Sequence, residues 1–206
     1  AEVVAGARER VRSELGLDER SLVVLTVSRI APQKRLDVLV EAAGITARAD
    51  RPLGQHVTWL VAGDGDRALE RELRARAAVH EGDVRFVGAR GDVPELLAAA
   101  DIFVLTSRWE ARALVVQEAM AAGVPVVVSA VGGLPELVGR AGLLVREGDA
   151  LGFATAVGEL LGDPQRRARL AEAGLRRFAE LPDESEITRS WWTRYARLAR
   201  ARRGLR

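Results

Sequence analysis

The sequence has 206 residues, a formal net charge of +2 and 48% hydrophobic residues, enough for one large α/β domain or two small ones with a buried core. It contains no cysteine, which excludes disulfide frameworks and thiolate metal sites. No apolar run reaches the roughly 18 residues that a membrane-spanning helix needs, and charges of mixed sign argue against a nucleic-acid-binding stripe.

Short apolar runs alternate with segments whose apolar residues recur at helical spacing. The runs predict six strands, at residues 21–28, 56–63, 83–88, 101–107, 125–130 and 142–146. Helices are predicted between the strands, at residues 35–49, 66–79, 92–100, from about 113 through 118, and at 134–138. This alternation is typical of a doubly wound, parallel, Rossmann-like α/β sheet. Three C-terminal helices are predicted to follow, at residues 150–161, 164–178 and 184–203.

The two ends of the chain suggest a piece of a longer protein. The chain begins with Ala1, not Met, and opens directly on a charged helical stretch, without a recognisable signal peptide, so a cytoplasmic location is expected. In the last predicted helix Ile187, Trp191, Tyr195 and Leu198 form one apolar stripe. We expect this stripe to pack on a missing N-terminal domain, which would leave the indoles partly exposed in this chain alone.

The loop after the first strand carries two cations. Ligands of open α/β sheets bind at the carboxyl ends of the strands, so residues that directly follow a strand are candidates. Arg29 and Lys34 lie five positions apart there, and Lys34 is the only lysine in the chain. An arginine fork and a compact ammonium group together neutralise most of a diphosphate.

The loop after the second strand, GDGDRA, fits a dinucleotide-binding fingerprint. Gly63, Gly65 and Ala68 match G-x-G-x-x-A between a strand and a helix, and Arg90 would suit the 2′-phosphate of NADP. On this hypothesis the chain is an NADP-binding oxidoreductase domain. Against it, the fingerprint normally follows the first strand of the sheet.

The same loop allows two other interpretations. Asp64 and Asp66 resemble a metal-binding pair, although two acids on a tight turn more often are solvated or cap the next helix. Alternatively, glycines such as Gly63 let the backbone approach a ligand closely. After the third strand, Val87 and Gly88 offer backbone groups that can pair with the edge of a nucleobase.

The loop after the fourth strand leads into a helix predicted to begin near Ala113. Its first free N–H groups, around Leu114 and Val115, would point into the ligand crevice and bind phosphate. Glu118, one turn further on in a largely apolar helix, is expected to be a buried carboxylate that binds two sugar hydroxyls or pairs with an arginine of the core. Glu110, in the loop, would lie nearer the reacting atoms.

The fifth strand is followed by two consecutive glycines. Gly132 and Gly133 precede a short helix with Pro135 in its first turn. The pattern fits either a simple tight turn or another anion-facing helix start.

Together these motifs resemble the GT-B glycosyltransferases of the family 4 type, also called group 1. The resemblance covers residues 20–180. It is carried by the following motifs: Arg29-x4-Lys34, GDG at 63–65, FVG at 86–88, Glu110-x7-Glu118, EAMAAGVPVV at 118–127 and VGGLPELV at 131–138. It implies one half of a GT-B fold, the C-terminal donor-binding domain, with the N-terminal acceptor-binding domain missing.

The resemblance also implies roles for individual residues. Arg29 and Lys34 would hold the donor diphosphate and stabilise the leaving group, Glu118 would bind the ribose, and Glu110 would contact the transferred sugar. The N–H groups that begin the helix would meet the phosphates. Such enzymes usually retain the anomeric configuration and need no metal for the leaving group. The full-length protein would be compatible with peripheral membrane association.

One motif departs from the family pattern. Where the family commonly has Gly-Phe-Gly after the first glutamate, this chain has Ala111, Arg112 and Ala113. Side chains therefore occupy a tight backbone segment next to the expected sugar site, and Arg112 would contact a phosphate or the sugar, or point to solvent. Two other uses of such a domain stay open: a non-catalytic sugar-nucleotide-binding module that docks through its final helix, and a sugar-nucleotide epimerase on the same fold.

Overall fold

A computed structural model describes residues 6–18, 21–49, 56–182 and 192. Its strands are β1 Leu22–Val27, β2 Val57–Ala62, β3 Asp83–Gly88, β4 Ile102–Leu105, β5 Val126–Ser129 and β6 Gly142–Val145. Its helices are α1 Ala7–Glu14, α2 Leu36–Arg48, α3 Arg67–Val79, α4 Val93–Ala99, α5 Leu114–Ala121, α6 Leu134–Val138, α7 Ala150–Gly162 and α8 Pro164–Ala179. A short 3₁₀ turn, Pro32–Lys34, precedes α2.

The strands form one parallel sheet in the order β3-β2-β1-β4-β5-β6, which confirms the predicted doubly wound architecture. The order reverses between β1 and β4, so the chain leaves these neighbours in opposite directions and a crevice opens beyond their carboxyl ends. In the register, Leu25 of β1 lies beside both Leu60 of β2 and Phe103 of β4. The loops that follow these strands therefore begin close together.

Both faces of the sheet are covered by helices. One face buries Val24, Trp59 and Val104 beneath α2, α3 and α7, while the other buries Leu25 and Phe103 beneath helices that include α4, α5 and α6. Near-continuous apolar strands are what burial on two faces requires. Burial of each large side chain contributes roughly 1.5–3 kcal/mol, so the sheet provides a rigid base for the loops at its edge.

Helix α1, the charged stretch at the start of the chain, packs on this same domain. Arg8 donates to the carboxylate of Asp101 at 2.8 Å and to the carbonyl oxygen of Ala99 at 3.2 Å. Arg12 is 5% exposed and donates to the same carbonyl oxygen at 3.2 Å. Burial lowers the pKa of Arg12, and the neighbouring charge of Arg8 lowers it further. The carboxylate of Asp101 offsets part of the cost of burying this charge.

The predicted helix 184–203 and its apolar stripe lie outside the described residues. Only Trp192 of that segment is described, and its side chain is 72% exposed. Within the described ranges, no helix has both the length and the apolar character that crossing a bilayer would demand. Asp92 is the N-cap residue of α4 but makes no side-chain cap, because its carboxylate binds Arg90 instead.

Candidate functional site

Three loops meet at the carboxyl ends of β1, β4 and β5. The N–H of Arg108 donates to the carbonyl oxygen of Gln33 at 2.8 Å, and the amide of Gln33 donates to the carbonyl oxygen of Trp109 at 2.9 Å. On the other side, the N–H of Gly133 donates to the carbonyl oxygen of Glu110 at 2.9 Å. The loop that carries Glu110 is therefore held between its two neighbours.

The contact between Lys34 and Glu110 lies at the centre of this cluster. The ammonium nitrogen of Lys34 lies 2.5 Å from Oε1 of Glu110, and the two side chains are only 15% and 9% exposed. The buried hydroxyl of Ser107 donates to the same carboxylate oxygen at 2.8 Å. Lys34 and Glu110 are 76 positions apart in the sequence. Both were predicted from the sequence to lie in the same site, and the structure brings them into contact.

The backbone that presents Lys34 is strained and held in place. Arg35, the next residue, has φ 48° and ψ 45°, and among the described residues it is the one non-glycine with positive φ. The hydroxyl of Thr106 lies 2.9 Å from the carbonyl oxygen of Lys34 and 3.0 Å from that of Arg35. The guanidinium of Arg35 binds Asp37 at 3.1 Å and Glu147 at 2.6 Å. The hydrogen bonds with Asp37 are the main reason that the pKa of Arg35 is raised.

Arg29 lies in the same loop, and its side chain is exposed. Within the described part of the chain it forms neither an ion pair nor a side-chain hydrogen bond, in contrast to Lys34. Its charge is therefore available to a ligand at this edge of the sheet.

The glycines of the GDG motif are required by a neighbouring stretch of backbone. A Cβ on Gly63 would lie 1.9 Å from the carbonyl oxygen of Ser28, and one on Gly65 would lie 2.3 Å from that of Ile30. The N–H of Gly63 also donates to the carbonyl oxygen of Gly88 at 2.7 Å. From the sequence we expected a ligand to approach these glycines closely, but in the structure the loop after β1 makes the close approach. The ligand contacts of Gly63, half-buried Val87 and Gly88 stay predictions.

The structure gives other roles to Asp66, from the suggested metal pair, and to Arg90, from the suggested NADP site. The carboxylate of Asp66 accepts from the N–H groups of Ala68 and Leu69 at 2.8 and 3.1 Å, so it caps α3. Arg90 is bound to Glu14 and Asp92, each at 2.6 Å, and the hydrogen bonds with Asp92 are the main reason that its pKa is raised. Arg90 is already paired with two carboxylates, and the two glycines are needed for close backbone packing. The features that suggested a dinucleotide site are therefore explained in another way.

Helix α5 begins at Leu114 with Ala113 as its N-cap, close to the predicted start. Ala113 has no side chain that can cap the helix, and the N–H groups of Leu114 and Val115 donate to no residue in the described ranges. Leu114 itself is 66% exposed. Two backbone donors at the positive end of a helix dipole are therefore open to an anion.

The expectation that Glu118 is buried is wrong. Its side chain is exposed, because α5 buries Val116, Ala119 and Met120 on the opposite face. Glu118 shares its exposed face with Leu114, one turn nearer the start of the helix. Its carboxylate therefore needs no partner from the core, and it lies one turn from the N-terminal end of α5.

The two glycines after β5 have a role that the sequence did not reveal. A Cβ on Gly132 would lie 1.9 Å from the carbonyl oxygen of Glu110, and one on Gly133 would lie 2.2 Å from that of Ala111. The two glycines do more than form a tight turn, because they let the loop after β5 pack against the segment that carries Glu110. The alternative of an anion-facing helix start stays a prediction. The roles of Thr106 and Ser107 were also missed from the sequence. Their only signal in the sequence is that two hydroxyl residues directly follow a buried strand.

Comparison with known proteins agrees with this geometry. Residues 21–163 match the model of the family described as glycosyl transferases group 1. The chain is 34% identical over 196 residues to a D-inositol 3-phosphate glycosyltransferase of Thermomonospora curvata, covering 91% of this chain and 46% of that protein. It is 36% identical over 179 residues to a GDP-mannose-dependent monoacylated alpha-(1-6)-phosphatidylinositol monomannoside mannosyltransferase of Corynebacterium glutamicum, covering 81% and 45%.

A solved structure extends the similarity to the fold. The Anabaena protein HepE, in a crystal structure with UDP-glucose, superposes with a TM-score of 0.81 and 28% identity, covering 93% of this chain and 52% of that one. The chain thus spans about half the length of the relatives that it matches. The sheet order, the strand-end loops and these similarities together show that the chain belongs to the glycosyl transferases group 1 family.

Proposed function

We propose that this chain is the donor-binding half of a retaining glycosyltransferase that transfers a sugar from a nucleoside diphosphate to an acceptor. The observation that carries the proposal is the meeting of Lys34 and Glu110 at the topological switch point, where open α/β sheets bind ligands. The family of the chain and the UDP-glucose complex of its structural relative support it.

The diphosphate is the part of the donor that the charges fit best. Lys34 and Arg29, which has no ion-pair partner among the described residues, supply two cations. The N–H groups of Leu114 and Val115, which donate to nothing in those residues, supply two neutral donors. As the bond to the sugar breaks, negative charge grows on the departing nucleoside diphosphate, and preorganised donors of this kind stabilise it. In this proposal that task falls to Arg29 and Lys34, and no metal is needed.

The two glutamates would bind the two sugars of the donor. The exposed carboxylate of Glu118, one turn from the start of α5, would accept hydrogen bonds from the ribose hydroxyls. Glu110, held by Ser107, would accept from the hydroxyls of the transferred sugar. The backbone at Gly63, Val87 and Gly88 would line the place of the nucleobase.

The acceptor would bind to a second domain. Because the chain spans about half of its relatives, we expect it to bind nucleotide alone but to transfer sugar weakly or not at all. The predicted helix at 184–203 would contact that second domain. Activity of a full-length protein that falls when Glu110 is replaced would separate a transferase from a non-catalytic binding module.

Isothermal titration calorimetry with UDP and GDP tests the phosphate site. The double variant Arg29→Ala with Lys34→Ala should bind the preferred nucleotide at least about a hundredfold more weakly, since two charge-assisted contacts are lost. The matched control is Arg166→Ala with Arg176→Ala, which removes two arginines paired on helix surfaces. Unchanged affinity in the first variant would remove the phosphate assignment.

A further inference from the structure

The charge of Lys34 is already matched before any nucleotide binds. Its ammonium group lies against the carboxylate of Glu110 at 2.5 Å, with both side chains largely shielded from water. A phosphate group that is to bind Lys34 must compete with this carboxylate. Shielded pairs of this kind are screened little by salt, so the competition is strong.

Glu110 has little else to hold it once Lys34 turns to a phosphate. The other hydrogen bond to its carboxylate within the described residues comes from the hydroxyl of Ser107. The guanidinium of Arg35, the residue after Lys34 in the sequence, is bound to Asp37 and Glu147 and supplies no replacement. A bare nucleoside diphosphate would therefore leave a shielded carboxylate underpaired beside a new negative charge, which is costly.

A sugar on the diphosphate changes this balance. Its hydroxyls can donate to the carboxylate of Glu110 while its phosphates take the ammonium of Lys34, so both partners of the broken pair regain hydrogen bonds. This step rests on the proposed function, which places the diphosphate at Lys34 and the sugar at Glu110.

We propose that Glu110 makes the site select nucleoside diphosphates that carry a sugar over the bare nucleoside diphosphate, by competing for Lys34. After transfer the product has lost its sugar, so Glu110 regains Lys34 and favours release of the nucleoside diphosphate. The residue thus acts on specificity and on product release, in addition to any contact with the sugar.

The test measures the dissociation constants of two ligands on the full 206-residue chain. UDP and GDP are titrated first, and the tighter is then compared with its sugar form, UDP-glucose or GDP-mannose. Wild type should bind the sugar form more tightly. Glu110→Gln keeps an acceptor for Ser107 but removes the charge, and it should bind the bare nucleotide about fivefold more tightly than wild type, which corresponds to about 1 kcal/mol. Its preference for the sugar form should shrink toward one.

Three controls make the result specific. Glu172→Gln removes the same charge from a pair on α8 and should change neither affinity. In the Lys34→Met background the gain from Glu110→Gln should fall well below fivefold, because no ion pair remains to be broken. Thermal melting of each variant verifies that it is folded.

The outcomes separate the inference from the proposed function. Bare nucleotide bound by Glu110→Gln with wild-type or weaker affinity overturns the inference, as does a gain that persists undiminished without Lys34. Nucleotide affinity that is unaffected by Lys34→Met alone, or absent from the wild-type chain, overturns the proposed function instead.

Discussion

The Cα of Gly132 lies so close to the carbonyl oxygen of Glu110 that a methyl group there would come within 1.9 Å of it. Gly132 also has φ 52°, a backbone conformation that residues with side chains rarely adopt. The β5 loop therefore supports the backbone of the residue that we place beside the transferred sugar.

Gly132→Ala should displace the Glu110 segment and weaken binding of the sugar nucleotide about tenfold, because small misplacements of a binding group cost affinity steeply. Calorimetry with the sugar nucleotide measures this. Gly158→Ala in α7 is the matched control, since its added methyl group meets nothing within 4 Å. It should leave affinity unchanged and raise stability by about 0.5–1 kcal/mol. Equal affinity for the two variants would contradict the role of Gly132.

The strained backbone of Arg35 gives a second prediction, on stability. Both Arg35→Gly and Arg35→Ala lose the ion pairs to Asp37 and Glu147, but only glycine relieves the positive φ. The left-handed conformation costs other residues roughly 1–2 kcal/mol. Urea unfolding should therefore show Arg35→Gly to be more stable than Arg35→Ala by about 1 kcal/mol. The reverse order, which is usual within helices, would show that the strain is absent.

The exposure of Glu118 separates its contribution to binding from its contribution to folding. Because its side chain is exposed and pairs with no described residue, Glu118→Ala should change the free energy of unfolding by less than about 0.5 kcal/mol. The same change should weaken binding of the preferred ribonucleotide about tenfold, since a charge-assisted hydrogen bond to ribose is lost.

A nucleotide analogue provides the control for Glu118. The 2′,3′-dideoxy form of the preferred nucleoside diphosphate has no ribose hydroxyls to donate. Wild type and Glu118→Ala should bind it with equal, weaker affinity. A further loss of affinity for the analogue in the variant would mean that Glu118 does not act through the ribose.

The carboxylate of Asp83 gives a prediction for acid stability. Burial alone would raise the pKa of Asp83, but hydrogen bonds from Arg85, His56 and Thr58 outweigh it and hold the pKa below its ordinary value. A depressed folded-state pKa contributes stability above about pH 4 that is lost as the pH falls through the folded-state value. Urea unfolding of wild type and Asp83→Asn should therefore differ at neutral pH and converge in acid. A difference that is constant with pH would contradict this.

Much of the fold follows from local patterns in the sequence. Six short runs rich in apolar residues matched six strands to within about two residues. The inner strands β1, β2, β4 and β5 are largely buried and apolar, as burial on both faces requires, whereas the edge strands β3 and β6 are only partly buried. The alternation with helices then predicted parallel pairing. The same patterns placed Lys34, Glu110 and the start of α5 at one edge of the sheet.

The details of the site depended on contacts between distant loops, which local patterns do not contain. Glu118 was expected to be buried because its helix is rich in apolar residues, but burial depends on which face of α5 meets the sheet. No rule of composition places an arginine such as Arg35 at positive φ. Gly132 is needed only because Glu110, 22 positions earlier in the sequence, lies against it in the fold.

A crystal structure of the chain with the preferred nucleoside diphosphate tests the central claim most directly. The proposal predicts the diphosphate between the ammonium group of Lys34 and the N–H groups of Leu114 and Val115, with the ribose hydroxyls on the carboxylate of Glu118. A nucleotide that occupies the crevice without touching Lys34 or Glu118, for example one seated on the loop at residues 63–68, would contradict it.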